Sequence, residues 1–205
     1  MPPARILIVD TNCFLRLYCS PVMPLMGIVV QNHQMFTLSG LIDEFIANPR
    51  LLAAYQWVAI APKADDLRLG VLKLNAAQNR KIEEKKKELR PYVDLFVNNC
   101  LQRRTIISRL SNADLTLLAT AVVLGAVIAT DERALQLIVK DLREDPEDYP
   151  MDVVCSMDVL AMFEKEAMLT KEQRTNTVDT WIRLRERLPA TWRADYKRNF
   201  GEEYD

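Results

Sequence analysis

The chain has 205 residues, 49% of them hydrophobic, and its 27 Lys and Arg nearly balance 28 Asp and Glu for a formal net charge of −1. That is enough apolar material for one large domain, or one domain with an extension, and any basic surface must be local. No window of 18 apolar residues occurs, so no transmembrane helix and no membrane partner are expected. The opening MPPARILIVD carries no signal-peptide cleavage pattern, which points to a cytoplasmic protein.

In chain order, Ile6–Val9 reads as a buried, parallel strand, and Thr11 or Asn12 can cap a helix over Cys13–Tyr18. Residues 19–33 carry Pro21, Pro24 and Gly27 around an apolar GIVV, a loop with room for a short strand, and Gln34–Leu38 fits a second strand. Ser39 is placed to cap a helix through GLIDEFIA, ending at Asn48-Pro49. From Leu51 to about Leu101 the pattern is helical, with breaks expected near Pro62 and Pro91. SNADLTLLATAVVLG has the Ser-x-x-acid capping box and a terminal glycine, Gly125. Ala126–Thr130 is a short β-branched run ending on Asp131 and Glu132, followed by a helix over Arg133–Arg143. After the acidic loop Glu144–Pro150, DVVCS is a last strand; Ser156 is expected to cap Met157–Ala167, and Thr170 to cap Lys171–Leu188.

Strands alternating with helices predict an α/β fold: a central, mostly parallel sheet flanked by helices, with a helical insertion over about 51–101 and a C-terminal helical extension. The division expected is residues 1–168 for the main domain and 169–205 for the extension. Cys13, Cys19, Cys100 and Cys155 lie far apart with no CxxC pairing. His33 is the single histidine, so reduced core thiols are a better reading than zinc ligands or disulfides. His33 itself reads as a loop or packing residue. No Ser/His/Asp or Cys/His nucleophile arrangement and no glycine-rich phosphate loop is present.

Functional groups of open parallel sheets gather outside the carboxyl ends of the strands. Asp10 ends one predicted strand and Asp131-Glu132 follow another, while Asp114 and Glu44 sit in or near the first turns of helices. Each has a plain structural use: Asp114 as a cap, Glu44 beside Asp43 as a solvated face. Together, several carboxylates at one edge repel and call for compensation, and hard divalent cations, Mg²⁺ or Mn²⁺, supply it through oxygen ligands. Such a metal can generate hydroxide and stabilise phosphoryl charge.

ILIVDTNCFLRL, LSGLIDEF, SNADLTLLATAVVLG and AVIATDERAL, in this order, resemble the motifs of the PIN-domain ribonucleases, which include the VapC-type toxins. The resemblance covers most of residues 5–140 and implies a PIN-like fold and a metal-dependent endoribonuclease. Asp10, Glu44, Asp114 and Asp131 fall on the family's four acids, and Thr11 and Asn12 on the polar residues that orient the first. Ser111 and Thr130 would support the acids. The family's last acid often lies two residues after the threonine, which here is Glu132, so either Asp131 or Glu132 can be the ligand. The resemblance further implies an RNA substrate, an antitoxin or other protein partner, and a homodimer. The longer insertion and the residues beyond 140 depart from compact VapC toxins.

Phosphate contacts need cations, for which Arg16, Arg103, Arg104, Arg109 and Arg133 are the candidates. The run Arg80 to Lys87 reads better as a solvated helix face paired with Glu83, Glu84 and Glu88. In the tail, Trp192, Tyr196 and Phe200 alternate with Arg193, Lys197 and Arg198, suited either to base stacking or to docking on the domain or a partner. Two other functions fit the same pattern: a PIN-like module that binds RNA or protein without cutting, and a flap-type DNA nuclease.

Overall fold

Ile6, Leu7, Ile8 and Val9 are four consecutive apolar residues, which suits a strand covered on both faces. The computed structural model describes residues 3–18, 20–22, 27–47, 49, 53, 70–106 and 109–204, with the side chains of residues 44–46 outside that description. In it, β1 (Arg5–Val9) is the middle strand of a five-stranded sheet ordered β2-β3-β1-β4-β5, with β2 Val29–Val30, β3 His33–Phe36, β4 Val127–Ala129 and β5 Asp152–Val154. Strands β3, β1, β4 and β5 are mutually parallel, and only the β2–β3 pair is antiparallel.

The alternation along β1 divides the core. Leu7 and Val9 point into one cluster with Met35, Val127 and Ala129. Ile8 points into the other with Ile128, Leu117 and Leu118. The first face is covered by α1 (Thr11–Tyr18), α6 (Ser156–Lys165) and α7 (Lys171–Arg183), and the last helix, α8 (Trp192–Phe200), packs onto that layer. The second face is covered by α2 (Ser39–Ala47), α3 (Ala76–Gln102), α4 (Asn112–Leu124) and α5 (Arg133–Leu142). The result is the expected three-layer α/β arrangement. Among the described residues no helix is long and apolar enough to cross a membrane.

Local signals explain several helix ends. Ser111 and Asp114 exchange the two hydrogen bonds of a capping box at the start of α4, and Thr170 and Gln173 do the same for α7. Gly125 closes α4 in the left-handed conformation, φ 59°. Elsewhere the structure corrects the expected boundaries. Pro91 lies inside the unbroken 27-residue helix α3 rather than breaking it. A proline costs one backbone hydrogen bond, and α3 offsets that loss by burying Leu89, Val93 and Val97 on either side. Residues 70–75 are not helical, with Val71 bridging Thr37 and Asn75 capping α3. The break expected near Pro62 lies outside the described residues. Ser156 opens α6 as its first residue and Cys155 takes the cap position. Helix α7 stops at Arg183, five residues short of Leu188.

The tail folds back on its own chain. Tyr196 is buried, its ring 4.8 Å from Phe200 and 5.1 Å from Tyr204. Arg174 lies 4.1 Å over the Phe200 ring and bridges Glu164 and Glu202. Residues 169–204 thereby share the core of β1: Leu169, Val178, Trp181 and Tyr196 belong to the same cluster as Leu7 and Val9.

Candidate active site

Because β3 lies on one side of β1 and β4 on the other, the chain switches direction across the sheet at the β1/β4 boundary, the position at which open α/β sheets form a crevice beyond the carboxyl ends of their strands. Asp10 is the residue immediately after β1, and Thr130, Asp131 and Glu132 follow β4. The backbone N–H of Asp10 donates to the Ala129 carbonyl at 2.9 Å, which fixes the two strand tips side by side.

Asp10 is 3% exposed. Its carboxylate accepts a 2.8 Å hydrogen bond from the Thr130 hydroxyl and another from the Thr11 backbone N–H. Burial and the nearby Asp114 carboxylate push the Asp10 carboxyl up from its ordinary 3.8 to about 7; the Thr130 and Thr11 hydrogen bonds pull it down, and Glu132 adds a smaller upward push. Asp114 is raised too, by its own burial, against the hydrogen bonds it makes with Ser111. The Ser111 N–H donates to Asp114 Oδ2 at 2.7 Å, so the helix cap fixes the direction of this carboxylate. The Asp10 carboxylate thus senses two others, from α4 and from the β4–α5 turn, in a desolvated setting.

The two adjacent acids after β4 have different surroundings. Glu132, the N-cap residue of α5, acts electrostatically on Asp10. Asp131 turns the other way. Its Oδ1 accepts from the Ser156 N–H at 3.1 Å, and its Oδ2 accepts from the Ser156 hydroxyl at 2.6 Å and from Arg16 Nη1. With its side chain 6% exposed, Asp131 sits at the N-terminus of α6, where the helix dipole favours an anion, and pairs with a buried cation. Arg16, expected on the phosphate backbone, is 3% exposed and packed with Asp131, Glu186 and Trp181.

Of the remaining candidates, Arg103, Arg104, Arg109 and Arg133 are exposed, as is Asn12. The Thr11 hydroxyl reaches toward the Leu41 carbonyl at 3.5 Å. Glu44 lies on α2, but its side chain is outside the described residues. His33 opens β3 rather than lying in a loop, its Nδ1 2.8 Å from the Gln31 carbonyl oxygen. Lys85–Glu88 and Lys86–Glu83 pair along α3. Sequence reasoning missed Ser156 and Glu186 as neighbours of the site. The available signal was Arg16 itself: in CFLRLY every other position but Tyr18 is buried, so a cation there needs a buried acid.

The donor set facing the crevice is all oxygen and excessively negative, which fits a hard cation in chemical type. Among the described residues, however, no three acids, histidines or cysteines stand close enough together to hold an ion as they are. No family model, no curated protein and no solved structure matches the chain.

Proposed function

We propose that the chain is a divalent-metal-dependent endoribonuclease with a PIN-type fold, working at the crevice formed by Asp10, Asp114 and Glu132, with Glu44 completing the acid set. The observation that carries the reading is Asp10: a carboxyl at the tip of the central strand, 3% exposed, held up at about 7 by burial and by two other carboxylates. A buried acid repelled by its neighbours is costly for folding, and strand-tip acids of this kind belong to sites that bind a compensating charge. RNA as the substrate rests on the motif resemblance.

Asp10, Asp114, Glu132 and Glu44 would hold a Mg²⁺ or Mn²⁺ ion, which when bound would supply activation of water and neutralisation of phosphoryl charge. The chain's own residues prepare that arrangement. The Thr130 hydroxyl and Thr11 amide hold the Asp10 carboxylate in one orientation, and Ser111 does the same for Asp114. Arg133, exposed one residue beyond Glu132, would meet a phosphate of the bound strand in this reading.

Cleavage of end-labelled single-stranded RNA and matched DNA by the purified protein tests the reading, with Mn²⁺, Mg²⁺ or EDTA, beside Asp10→Asn and Asp114→Asn. RNA cutting that needs metal and vanishes in both variants is the expected result. Cutting of DNA alone reassigns the substrate. No cutting of either, with calorimetry finding no bound metal, leaves a binding module.

A further inference from the structure

The turn after β4 is tied to a part of the chain far from it in sequence. Arg16 on α1 is the junction. Its Nη1 pairs with Asp131, its Nη2 donates to the Arg187 carbonyl at 3.3 Å, and its Nε lies 4.0 Å from a Glu186 carboxylate oxygen. The Arg16 carbonyl in turn accepts from Trp181 Nε1 at 2.8 Å. The segment just beyond α7 therefore grips the same side chain that grips Asp131. On the far side of Asp131, the chain continues without a gap into the crevice. The Thr130 hydroxyl donates to Asp10 at 2.8 Å and accepts from the Glu132 N–H at 3.0 Å. The Thr130 carbonyl is held by Gln136 at 3.0 Å.

One atom in this junction is unsatisfied: Arg16 Nε is buried and has no hydrogen-bond partner. An unpartnered buried guanidinium N–H carries a desolvation cost that a small shift of Glu186 would remove. Arg16 is thus shared between two acids, Asp131 toward the crevice and Glu186 toward the α7–α8 connection.

We propose that Arg16, Asp131 and Glu186 form a positioning relay through which the segment after α7 sets the geometry of the crevice. Asp131 acts in it by fixing the turn that delivers Thr130 and Glu132 to Asp10, and not as a ligand. The inference rests on the nuclease reading for its catalytic consequence but not for its geometry. Asp131 has both oxygens occupied by Ser156 and Arg16, whereas its two sequence neighbours touch or face Asp10. Release of the pair would let the turn rotate, taking the Thr130 hydroxyl away from Asp10.

The test has two readouts on the full chain. The first is amide NMR of the metal-free protein carrying Glu186→Gln, which keeps the side-chain shape and the fold. Shifts at Thr130, Glu132 and Asp10 are expected; shifts confined to residues 184–188 and Arg16 overturn the relay. The second is Mn²⁺ binding by calorimetry for Asp131→Asn, Thr130→Val and the double variant. Each single change is expected to weaken binding roughly tenfold at unchanged stoichiometry, with the double no more than about threefold worse than the poorer single, because both act through one turn. Multiplied effects, or no effect of Asp131→Asn, overturn the positioning role. On RNA, Glu186→Gln lowers kcat severalfold with KM within about twofold, the pattern of misplaced chemistry rather than lost binding. Arg16→Lys keeps the charge but cannot reach three partners, and is expected to retain the fold and reproduce the Glu186→Gln amide shifts. Absence of Mn²⁺ binding by the wild-type protein, together with the expected amide shifts in Glu186→Gln, sinks the nuclease reading and leaves the relay standing.

Discussion

The hydroxyl of Thr130 donates to the carboxylate of Asp10 at 2.8 Å, across 120 residues of sequence and between the tips of two adjacent parallel strands. The same hydroxyl accepts from the N–H of Glu132, so one side chain links the first acid of the crevice to the last. Thr130→Val keeps the shape and removes both hydrogen bonds. The cost expected is about 1–3 kcal/mol in urea unfolding, and the Asp10 carboxyl should titrate higher still, because the lost bond favoured its charged form. Carbon-13 NMR of the Asp10 carboxyl checks the second effect; a lower titration point contradicts the assigned hydrogen bond.

Asp10 also makes metal-free stability depend on pH in a definite direction. Its folded value, about 7, stands above its ordinary 3.8, so between these points the folded protein holds a proton that the unfolded chain releases. Stability from this group is therefore highest below the lower value and is lost as pH rises toward the upper one. Asp10→Asn should be near neutral at the acid end of that window and stabilising by roughly 2–4 kcal/mol above it. Urea unfolding of both proteins without metal, across that range, makes the comparison. A difference that does not grow with pH contradicts the assigned burial and repulsion.

The cap of α4 has a separate signature. Ser111→Ala removes the side-chain half of the capping box that also orients Asp114. A loss of about 1 kcal/mol is expected, measured by denaturant unfolding. Ser111→Asp, which can still accept from the N–H of residue 114, should recover most of it in stability while adding a charge beside Asp114 and raising that carboxyl further.

Arg174 tests the attachment of the tail. It is 2% exposed, lies over Phe200 and joins Glu164 to Glu202. Arg174→Met should cost roughly 2–4 kcal/mol, since one cation leaves two acids and a ring stack. Arg174→Lys should restore less than half, because a single ammonium cannot match a planar fork that both bridges and stacks. Thermal unfolding with near-ultraviolet dichroism reads the loss, and full rescue by lysine would contradict the stacked geometry.

The parts of this molecule legible in sequence are those governed by local rules. ILIVD announces a doubly covered strand with an acid at its tip, Ser111-x-x-Asp114 announces a cap, and Gly125 announces a helix end; each is where it was expected. What sequence left open was decided by contacts between distant elements. Asp131 and Glu132 are adjacent acids with equal claims on paper. Their roles differ because Arg16 from α1 and Ser156 from α6 converge on only one of them. The buried pairing of Arg16 with Asp131 is not legible for the same reason, since the spacing of Arg16 from Asp10 says nothing about Asp131. Pro91 signals a break because propensity is local, while the burial of Leu89, Val93 and Val97 that carries α3 past it is not. The aromatic tail is ambiguous in sequence because its partner, Arg174, lies on the preceding helix, beneath its rings.

The central position of β1 has a consequence for the order in which this molecule becomes competent. Leu7 pairs with Val127, so the strand that leads into Asp10 gains its second neighbour only after the chain through α4 has been made. Contacts of such long sequence separation form late and slowly. A nascent chain that has emerged only as far as α4 already contains Asp10 and Asp114, yet lacks the strand that aligns them and the hydroxyl that holds the first. Any activity of the crevice is thereby withheld during synthesis, and the newly made protein should acquire it in one step, when β4 closes beside β1.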